Sequence, residues 1–284
     1  NVELWQDITI SLLRGYIDMA YKKAKAREEQ KHLKNTRVTY YNIGVPEEYT
    51  VKVRNDKEGL IDHVTSVKEE VEQGNFHRDR VFDDCFKTLN VDVHLYKPLM
   101  FLAERDANGN RPFLDEVTGE PVLQVSPVAL NIGEKNFVEA FRDYCKKHKD
   151  DVLAGKQVYL LRNESKKGLG FFEANNFYPD FILWIIDGER QYLTFIDPKG
   201  IRNLKGLDDP KIQLFKYLQT EVANQIGNPN LRMTSLIISN TPMEQVEFWT
   251  KEKFAAEEFT KNHVLFEDKD EKYLGKMLEM IYKP

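Results

Sequence analysis

The stretch of residues 177–200 constrains the fold of this chain more than any other part of the sequence. Two apolar runs there flank the tetrapeptide DGER at positions 187–190. Gly188 suits the first central position of a two-residue type II′ turn, so the stretch predicts a β-hairpin. In that register the numbers of paired residues add up to 377, which places Asp180 directly opposite Asp197.

The two carboxylates are therefore expected on the same face of the hairpin, with Cβ atoms about 4.5 to 5.5 Å apart. Lys199, two residues beyond Asp197, points to that face as well. Facing like charges destabilise a strand pair, whereas hard oxygen ligands at this separation suit Mg²⁺ or Mn²⁺. The pattern predicts a divalent metal site. The alternative is that Pro-Asp and Asp-Pro are turn residues without a function.

The apolar residues predict a sheet with helices on both sides. Side chains at positions 181–186 are apolar on both faces of the hairpin, which is typical of a strand in the centre of a covered sheet. The hydrophobic pattern predicts strands at 158–162, 181–186, 191–196 and 231–239. It predicts helices at 134–148 and 210–226, the second with Asp209 as its N-cap, and a tail of helix, short strand at 264–266 and helix.

The N-terminal part has a different pattern. Apolar residues recur at helical spacing from Trp5 to Met19 and from Val64 to Val71. We therefore expect a mostly helical segment over residues 1–94, followed over residues 95–284 by an α/β domain with a mixed central β-sheet flanked by helices. The strand expected at 96–104 begins this domain. We also expect the chain to be a fragment of a longer protein.

Composition excludes several classes of protein. No apolar run approaches the length of about 18 residues that a membrane span needs. The two cysteines in 284 residues favour a reducing, cytoplasmic compartment. The net charge of −5 gives no general affinity for nucleic acid, so a polyanion would have to meet a local basic patch. The motifs of nucleotide motors, dinucleotide enzymes and zinc proteases do not occur in the sequence.

The residues of the hairpin resemble a known family. The PD pair that ends at Asp180 and the DPK triplet from Asp197 to Lys199 are similar to the motif of the PD-(D/E)xK nuclease superfamily. The wider runs LYKPLM, SPVALNIGEKNFVEAF, YLLRNESKKGLGFFEANNFYPDFILW and FIDPKG resemble the C-terminal endonuclease region of type III restriction enzyme subunits and related helicase-nucleases. The first helix looks like the segment that follows a helicase motor.

The resemblance implies a restriction-endonuclease-like fold and a role for each motif residue. Asp180 and Asp197 would bind a catalytic Mg²⁺, for which Mn²⁺ can substitute, and the backbone carbonyl of Pro198 would be another ligand. Lys199 would activate the attacking water or stabilise the transition state. Many relatives add a glutamate from the first core helix, for which Glu134 is our choice.

Two other glutamates compete for that role. Glu134 lies on the apolar face of its helix, whereas Glu139 lies on the polar face and Glu173 lies in a later segment. The alternative for Glu134 is a structural one, because a negative charge is favoured in the first turn of any helix.

A downstream pair and several basic residues complete the expected site. Gln213 and Tyr217 resemble the QxxxY element of RecB-like nucleases, where the glutamine lies near the metal and the phosphate; alternatively they are a solvated Gln beside a packed Tyr. The residues expected to contact DNA are Lys166, Lys167, Arg202, Lys205 and Tyr217. Lys211 is a further candidate for a phosphate contact, although a solvated surface is the default for each lysine.

The resemblance implies a Mg²⁺-dependent endonuclease that cleaves double-stranded DNA. A helicase motor in the same parent chain would use the ATP, and a methyltransferase subunit is the expected partner. The alternative is a non-catalytic module that binds DNA or a partner and retains the nuclease fold. Facing carboxylates argue against that alternative, because they repel phosphate.

Overall fold

A computed structural model of the protein describes residues 49–91, 99–163, 169–171, 174, 177–199, 201, 204–246, 253–268 and 272–283. The strands in these ranges are β1 Thr50–Val53, β2 Arg80–Phe82, β3 Phe86–Leu89, β4 Leu99–Leu102, β5 Leu123–Ser126, β6 Gln157–Arg162, β7 Phe181–Asp187, β8 Arg190–Lys199, β9 Leu231–Ser239 and β10 Val264–Phe266. The α-helices are α1 Glu58–Glu72, α2 Ile132–Lys147, α3 Leu214–Tyr217, α4 Ala223–Ile226, α5 Ala256–Lys261 and α6 Lys272–Tyr282. None of the helices in these ranges is long and apolar enough to span a lipid bilayer.

A five-stranded sheet in the order β10-β9-β8-β7-β6 forms the centre of the described structure. Strands β6, β7 and β8 are antiparallel neighbours, whereas β9 runs parallel to β8 and β10 runs parallel to β9. A parallel return from β8 to β9 needs a crossover connection, which the segment with α3 and α4 supplies. The described residues therefore form a mixed α/β structure with helices flanking a mixed sheet.

Apolar side chains cover both faces of this sheet. On one face, helix α2 packs Phe137 and Phe141, both 0% exposed, into a cluster with side chains from the sheet and α6. On the other face, Ile182 and Phe195 cluster with Leu214 of α3. Burial on two sides explains why β7 is apolar at successive positions rather than at alternate ones.

Two smaller sheets lie on the N-terminal side. Strand β1 pairs with β5, and β2, β3 and β4 form a three-stranded antiparallel sheet. Strand pairs β1–β5 and β3–β4 cross the predicted boundary at residues 94 and 95. Residues 49–91 hold one helix and three strands, so this part is not the mostly helical segment that the sequence predicts. Strands of three or four residues are too short to show a clear alternation of apolar and polar residues. The helix predicted from Trp5 lies outside the described residues.

The predicted helices differ from the observed ones mainly at their starts. Helix α2 begins at Ile132, two residues early, because Asn131 caps it. The helix predicted from residue 210 begins as turns, in which Asp209 Oδ1 accepts the N–H of Lys211 at 3.0 Å, as a capping residue would. It then runs through α3, a π-helical turn at Leu218–Val222 and α4. The predicted tail of helix, strand and helix corresponds to α5, β10 and α6, and the predicted strand at 96–104 appears as β4.

Candidate functional site

The β7–β8 hairpin has the register that the sequence predicts. Paired residues run from Phe181 opposite Ile196 to Asp187 opposite Arg190, so the two numbers add up to 377 throughout. Gly188 has a φ of 59°, the left-handed value that the first central position of a type II′ turn requires. The turn at the closed end therefore determines which residues pair at the open end of the hairpin, where the motif residues lie.

Asp180 and Asp197 come together at this open end. Asp180 lies one residue before β7, and its carboxyl group is hydrogen-bonded to that of Asp197, which is 4% exposed. Burial raises the pKa of Asp180 well above its usual range, and the hydrogen bond and the negative charge of Asp197 raise it further. Two buried carboxylates this close do not both stay ionised without a positive charge between them.

Lys199 lies beside the pair. Its ammonium group forms an ion pair with Asp197 Oδ2 and lies 4.5 Å from the centre of the Phe177 ring. Positions 197 and 199 of β8 share a face, which is why the acid and the base meet. The positive charge of Lys199 opposes the rise in the pKa of Asp180.

Glu134 contributes to the same site from the start of α2. Its Oε2 accepts the N–H of Asn131 at 3.0 Å, its own N–H donates to Asn131 Oδ1 at 3.0 Å, and Arg162 Nη2 lies 3.3 Å from Oε2. The structural interpretation of Glu134 as a residue of the first helical turn is thus confirmed. Its negative charge also raises the pKa of Asp180, so Glu134 lies near the carboxylate pair.

The two other glutamates are placed differently. Glu139 forms ion pairs with Lys87 and, at 3.2 Å, with Lys135, on the side of α2 that faces the small sheets. Glu173 lies outside the described residues. Of the two candidates that the structure describes, Glu134 is the one whose charge acts on Asp180.

Asn163 holds the backbone that carries Asp180, and sequence reasoning did not identify it. Its N–H donates to the carbonyl oxygen of Asp180 at 2.8 Å, and its side-chain Nδ2 donates to Pro179 O at 2.7 Å and to Leu169 O at 2.8 Å. Its Oδ1 accepts the N–H of Leu169 at 2.8 Å. The one signal in the sequence is an asparagine at the end of an apolar run, which on its own predicts only a turn.

The end of β9 also lies at the site. The N–H of Asn240 donates to Lys199 O at 3.3 Å. A Cβ atom on Gly133, in the first turn of α2, would lie 2.7 Å from Asn240 Nδ2. Gly133 therefore lets the start of α2, with Glu134, approach the end of β9.

The structure gives the surroundings of Gln213, Tyr217 and Lys205, whereas the other predicted residues lie outside the described ranges. Gln213 Nε2 donates to Leu207 O at 2.6 Å and to Asn262 Oδ1 at 2.8 Å, and these bonds hold the amide against neighbouring loops. Tyr217 packs on the apolar cluster of Ile182. Lys205 is exposed. The structure does not describe Lys166, Lys167 or Arg202, so their DNA contacts stay predictions.

The donors at the site fit a metal that keeps part of its hydration shell. Within the ranges that the structure describes, no group of three or more His, Cys, Asp or Glu residues is arranged to hold a metal ion. Asp180 and Asp197 are a pair of hard oxygen donors, to which the backbone of Pro198 adds a carbonyl group. Mg²⁺ typically binds one or two carboxylates and takes its remaining ligands from water and substrate phosphate.

A cavity of about 600 Å³ lies elsewhere, between α1 and the β2–β3 hairpin, and includes Leu60, Phe82 and Phe113 in its lining. None of the predicted site residues lines it. Comparisons with family models, curated proteins and solved structures find no match to this chain. The functional proposal therefore depends on the geometry around Asp180 and Asp197.

Proposed function

We propose that the protein is a Mg²⁺-dependent endonuclease that hydrolyses phosphodiester bonds in DNA. The observation on which this proposal depends is the pair of facing carboxylates, Asp180 and Asp197, with the ammonium group of Lys199 beside them. A binding surface for DNA gains nothing from facing carboxylates, whereas a metal-dependent hydrolase needs them.

The fold supports the proposal at a coarser level. A mixed sheet flanked by helices is what the resemblance to PD-(D/E)xK nucleases implies, and the motif residues lie together at one end of that sheet. We propose that residues 95–284 form a restriction-endonuclease-like domain.

Each residue has a distinct task in the proposed reaction. Asp180, Asp197 and the carbonyl group of Pro198 would hold the cation, which would lower the pKa of a water molecule and neutralise charge on the phosphate. Lys199 would donate a hydrogen bond to the attacking water or to a phosphate oxygen, where negative charge develops. Glu134 would add a third acidic group near the cation, and Asn163 fixes the backbone of Asp180.

The larger assembly is part of the proposal. By the resemblance to type III restriction enzymes, a helicase motor in the same parent chain would hydrolyse ATP, and a methyltransferase subunit would recognise the DNA sequence. The chain would act on double-stranded DNA in the cytoplasm. In this arrangement the nuclease domain has no need to read bases, because phosphate contacts are independent of sequence.

Cleavage of supercoiled plasmid DNA in Mg²⁺ and in Mn²⁺ tests the proposal. We expect Asp180→Ala and Lys199→Ala to lower the rate by about 100-fold or more, because each removes charge that acts on the reacting phosphate. Asp187→Ala is the matched control, since Asp187 belongs to the same hairpin but lies at its closed end and is 45% exposed. Full activity of Asp180→Ala, or no cation-dependent cleavage by the unmodified chain, would contradict the proposal.

A further inference from the structure

The ring of Phe177 brings two lysine ammonium groups together beside the carboxylate pair. Lys199 Nζ lies 4.5 Å from the ring centre, and Lys211 Nζ lies 5.6 Å from it. The two nitrogens are therefore within about 10 Å of each other. Phe177 is 6% exposed, so the ring is a fixed element of the protein interior rather than a mobile surface group.

Two basic groups at the site are paired with carboxylates, whereas the ammonium group of Lys211 contacts an aromatic ring. Lys199 is paired with Asp197, and Arg162 is paired with Glu134. The ammonium group of Lys211 lies over the ring of Phe177 and forms no ion pair with the residues that the structure describes. It is thus a positive charge near the site that can contact an anionic ligand.

The backbone fixes the position of Lys211. Its N–H donates to Asp209 Oδ1 at 3.0 Å, and the N–H groups of Ile212 and Gln213 donate to the Asp209 carbonyl at 2.9 and 3.0 Å. Asp209 is 9% exposed. The turn fixes the Cα position of Lys211, and the ring of Phe177 is the contact that holds its ammonium group near the site.

We propose that Lys211, which meets Lys199 at the ring of Phe177, forms with it a second phosphate subsite, which binds a backbone phosphate next to the one that is cleaved. This inference rests on the proposed function, because the subsite is defined relative to the cleaved phosphate. A DNA strand carries one phosphate for each 3.4 Å or so of helix axis, so a span of about 10 Å includes neighbouring phosphates of one strand. Lys211 binds and positions the substrate, whereas Lys199 acts at the reacting phosphate.

The salt dependence of DNA binding tests the subsite directly. The 284-residue chain is titrated into a fluorescent duplex oligonucleotide without divalent cation at several NaCl concentrations. We expect Lys211→Met to weaken binding about fivefold at low salt and to reduce the slope of log K against log[NaCl] by about 0.9, the loss of one phosphate contact. Lys211→Arg should retain both values, and Lys211→Gln, which keeps a polar side chain, should match Lys211→Met.

Lys216→Met is the matched control. Lys216 is exposed and lies 5.6 Å from the ring of Phe215, so it resembles Lys211 in its aromatic contact but belongs to a different ring. An unchanged slope for both Lys211→Met and Lys211→Gln would overturn the subsite, as would an equal change for Lys216→Met or no DNA binding by the unmodified chain at low salt.

Cleavage assays separate this inference from the proposed function. If the unmodified chain cleaves DNA and Asp180→Ala does not, but Lys211→Met keeps the KM and the salt slope, the subsite alone is wrong. If Lys211→Met changes the salt slope while no variant or condition gives cleavage, the phosphate contact of Lys211 is supported, but the nuclease activity and the position of that contact next to a cleaved phosphate are wrong. With both correct, Lys211→Met raises KM about fivefold and leaves kcat within about twofold.

Discussion

The buried amide of Asn163 helps to position Asp180. It does so through the neighbouring backbone and not through a contact with the Asp180 carboxylate. It is 6% exposed, and its amide group makes three hydrogen bonds to the backbone of Pro179 and Leu169. Those bonds connect the end of β6 to the segment before β7. The position of Asp180 therefore depends on contacts that are made elsewhere.

Replacement of Asn163 by alanine should lower the free energy of unfolding by about 2 to 4 kcal/mol, because it leaves buried backbone groups without partners. Urea unfolding measures this loss. Asn75→Ala is the control, since Asn75 is exposed and its side-chain bond to Gln73 is 3.4 Å long. Equal stability of the two variants would show that the amide of Asn163 is not buried as described.

His263 is a buried titratable side chain on the far side of α3. Its ring stacks on Phe215 with centroids 3.8 Å apart, and Nδ1 donates to Ser235 O at 3.0 Å. Burial lowers the pKa of His263 to about 4, although the bond to Ser235 opposes the shift. The folded protein therefore keeps this imidazole neutral at pH values where the unfolded chain protonates it.

The sign of the pH effect follows from that shift. Between about pH 6.5 and 4 the unfolded state binds a proton that the folded state does not, so stability falls as the pH falls, by up to about 1.4 kcal/mol per pH unit. Burial raises the pKa of Glu267 to about 7, which has the opposite slope. The measurement is therefore the difference in unfolding free energy between the unmodified chain and His263→Gln.

This difference should shrink by about 3 kcal/mol or less from pH 6.5 to 4 as the contribution of His263 is lost. A constant difference for His263→Gln would mean that His263 is exposed in solution.

At the level of residues, the sequence predicts the meeting of Asp180 with Asp197 because both belong to one local hairpin. The partners of Asn163 and Arg162 follow from contacts between separate segments, which no spacing rule predicts. The amide partners of Gln213, Leu207 and Asn262, likewise come from separate segments, and its role near the metal stays a prediction.

The β7–β8 hairpin is the element that brings the carboxylates together, and its turn depends on one glycine. Gly188 has a φ of 59°, and an added Cβ atom would meet nothing within 4 Å. A substitution at Gly188 therefore lowers stability through backbone strain at positive φ and not through a clash with neighbouring atoms.

Gly188→Ala should lower the free energy of unfolding by about 1 kcal/mol, and Gly188→Asn should cost less, because asparagine tolerates the left-handed region. Urea unfolding distinguishes the two variants. An equal cost for Ala and Asn would contradict the left-handed turn.

The segment after β8 shows what hydrophobic periodicity does not predict. The apolar pattern favours one regular helix over residues 210–226, whereas the structure has a π-helical turn between α3 and α4. Within that turn, Gln219 Nε2 donates to Thr234 Oγ1 of β9 at 3.3 Å. Such a bond depends on the neighbouring strand, which is not encoded in the local spacing.

On the scale of the whole molecule, charged residues join the small sheets to α2. Arg142 donates to both carboxylate oxygens of Asp79 at 2.9 and 3.1 Å and to Asn90 O at 3.2 Å. The Arg142 side chain is 13% exposed. The pKa of Asp79 is lowered, against the effect of burial, first by the N–H of Asn90 and then by the hydrogen bond and the positive charge of Arg142.

Arg142→Met should therefore destabilise the protein by about 2 kcal/mol, because it leaves a half-buried carboxylate without its main partner. Asp143 also forms an ion pair with Arg142, but its side chain is 57% exposed. Asp143→Ala should therefore change the free energy of unfolding by less than about 0.5 kcal/mol. Thermal unfolding compares the two. A larger effect of Asp143→Ala would contradict the proposal that the ion pair of Arg142 with Asp79 connects the small sheets to α2.

The mixed sheet could be predicted from the sequence because its long apolar strands are bounded by clear turns. The small sheets could not be predicted from the sequence. Strand β1 pairs with β5, which lies about 70 residues further along the chain, and these two strands have only four residues each. The predicted division at residue 94 followed a change in composition, whereas strand pairing joins the two sides.

The position of a bound cation tests the central claim most directly. A crystal of the full chain, soaked in millimolar Mn²⁺ and measured for anomalous scattering, should show a peak that contacts carboxylate oxygens of both Asp180 and Asp197. Asp180→Asn should abolish that peak, and Asp187→Asn should retain it. Side chains 180 and 197 on opposite faces of the sheet, or a Mn²⁺ peak that persists without the Asp180 carboxylate, would contradict the account.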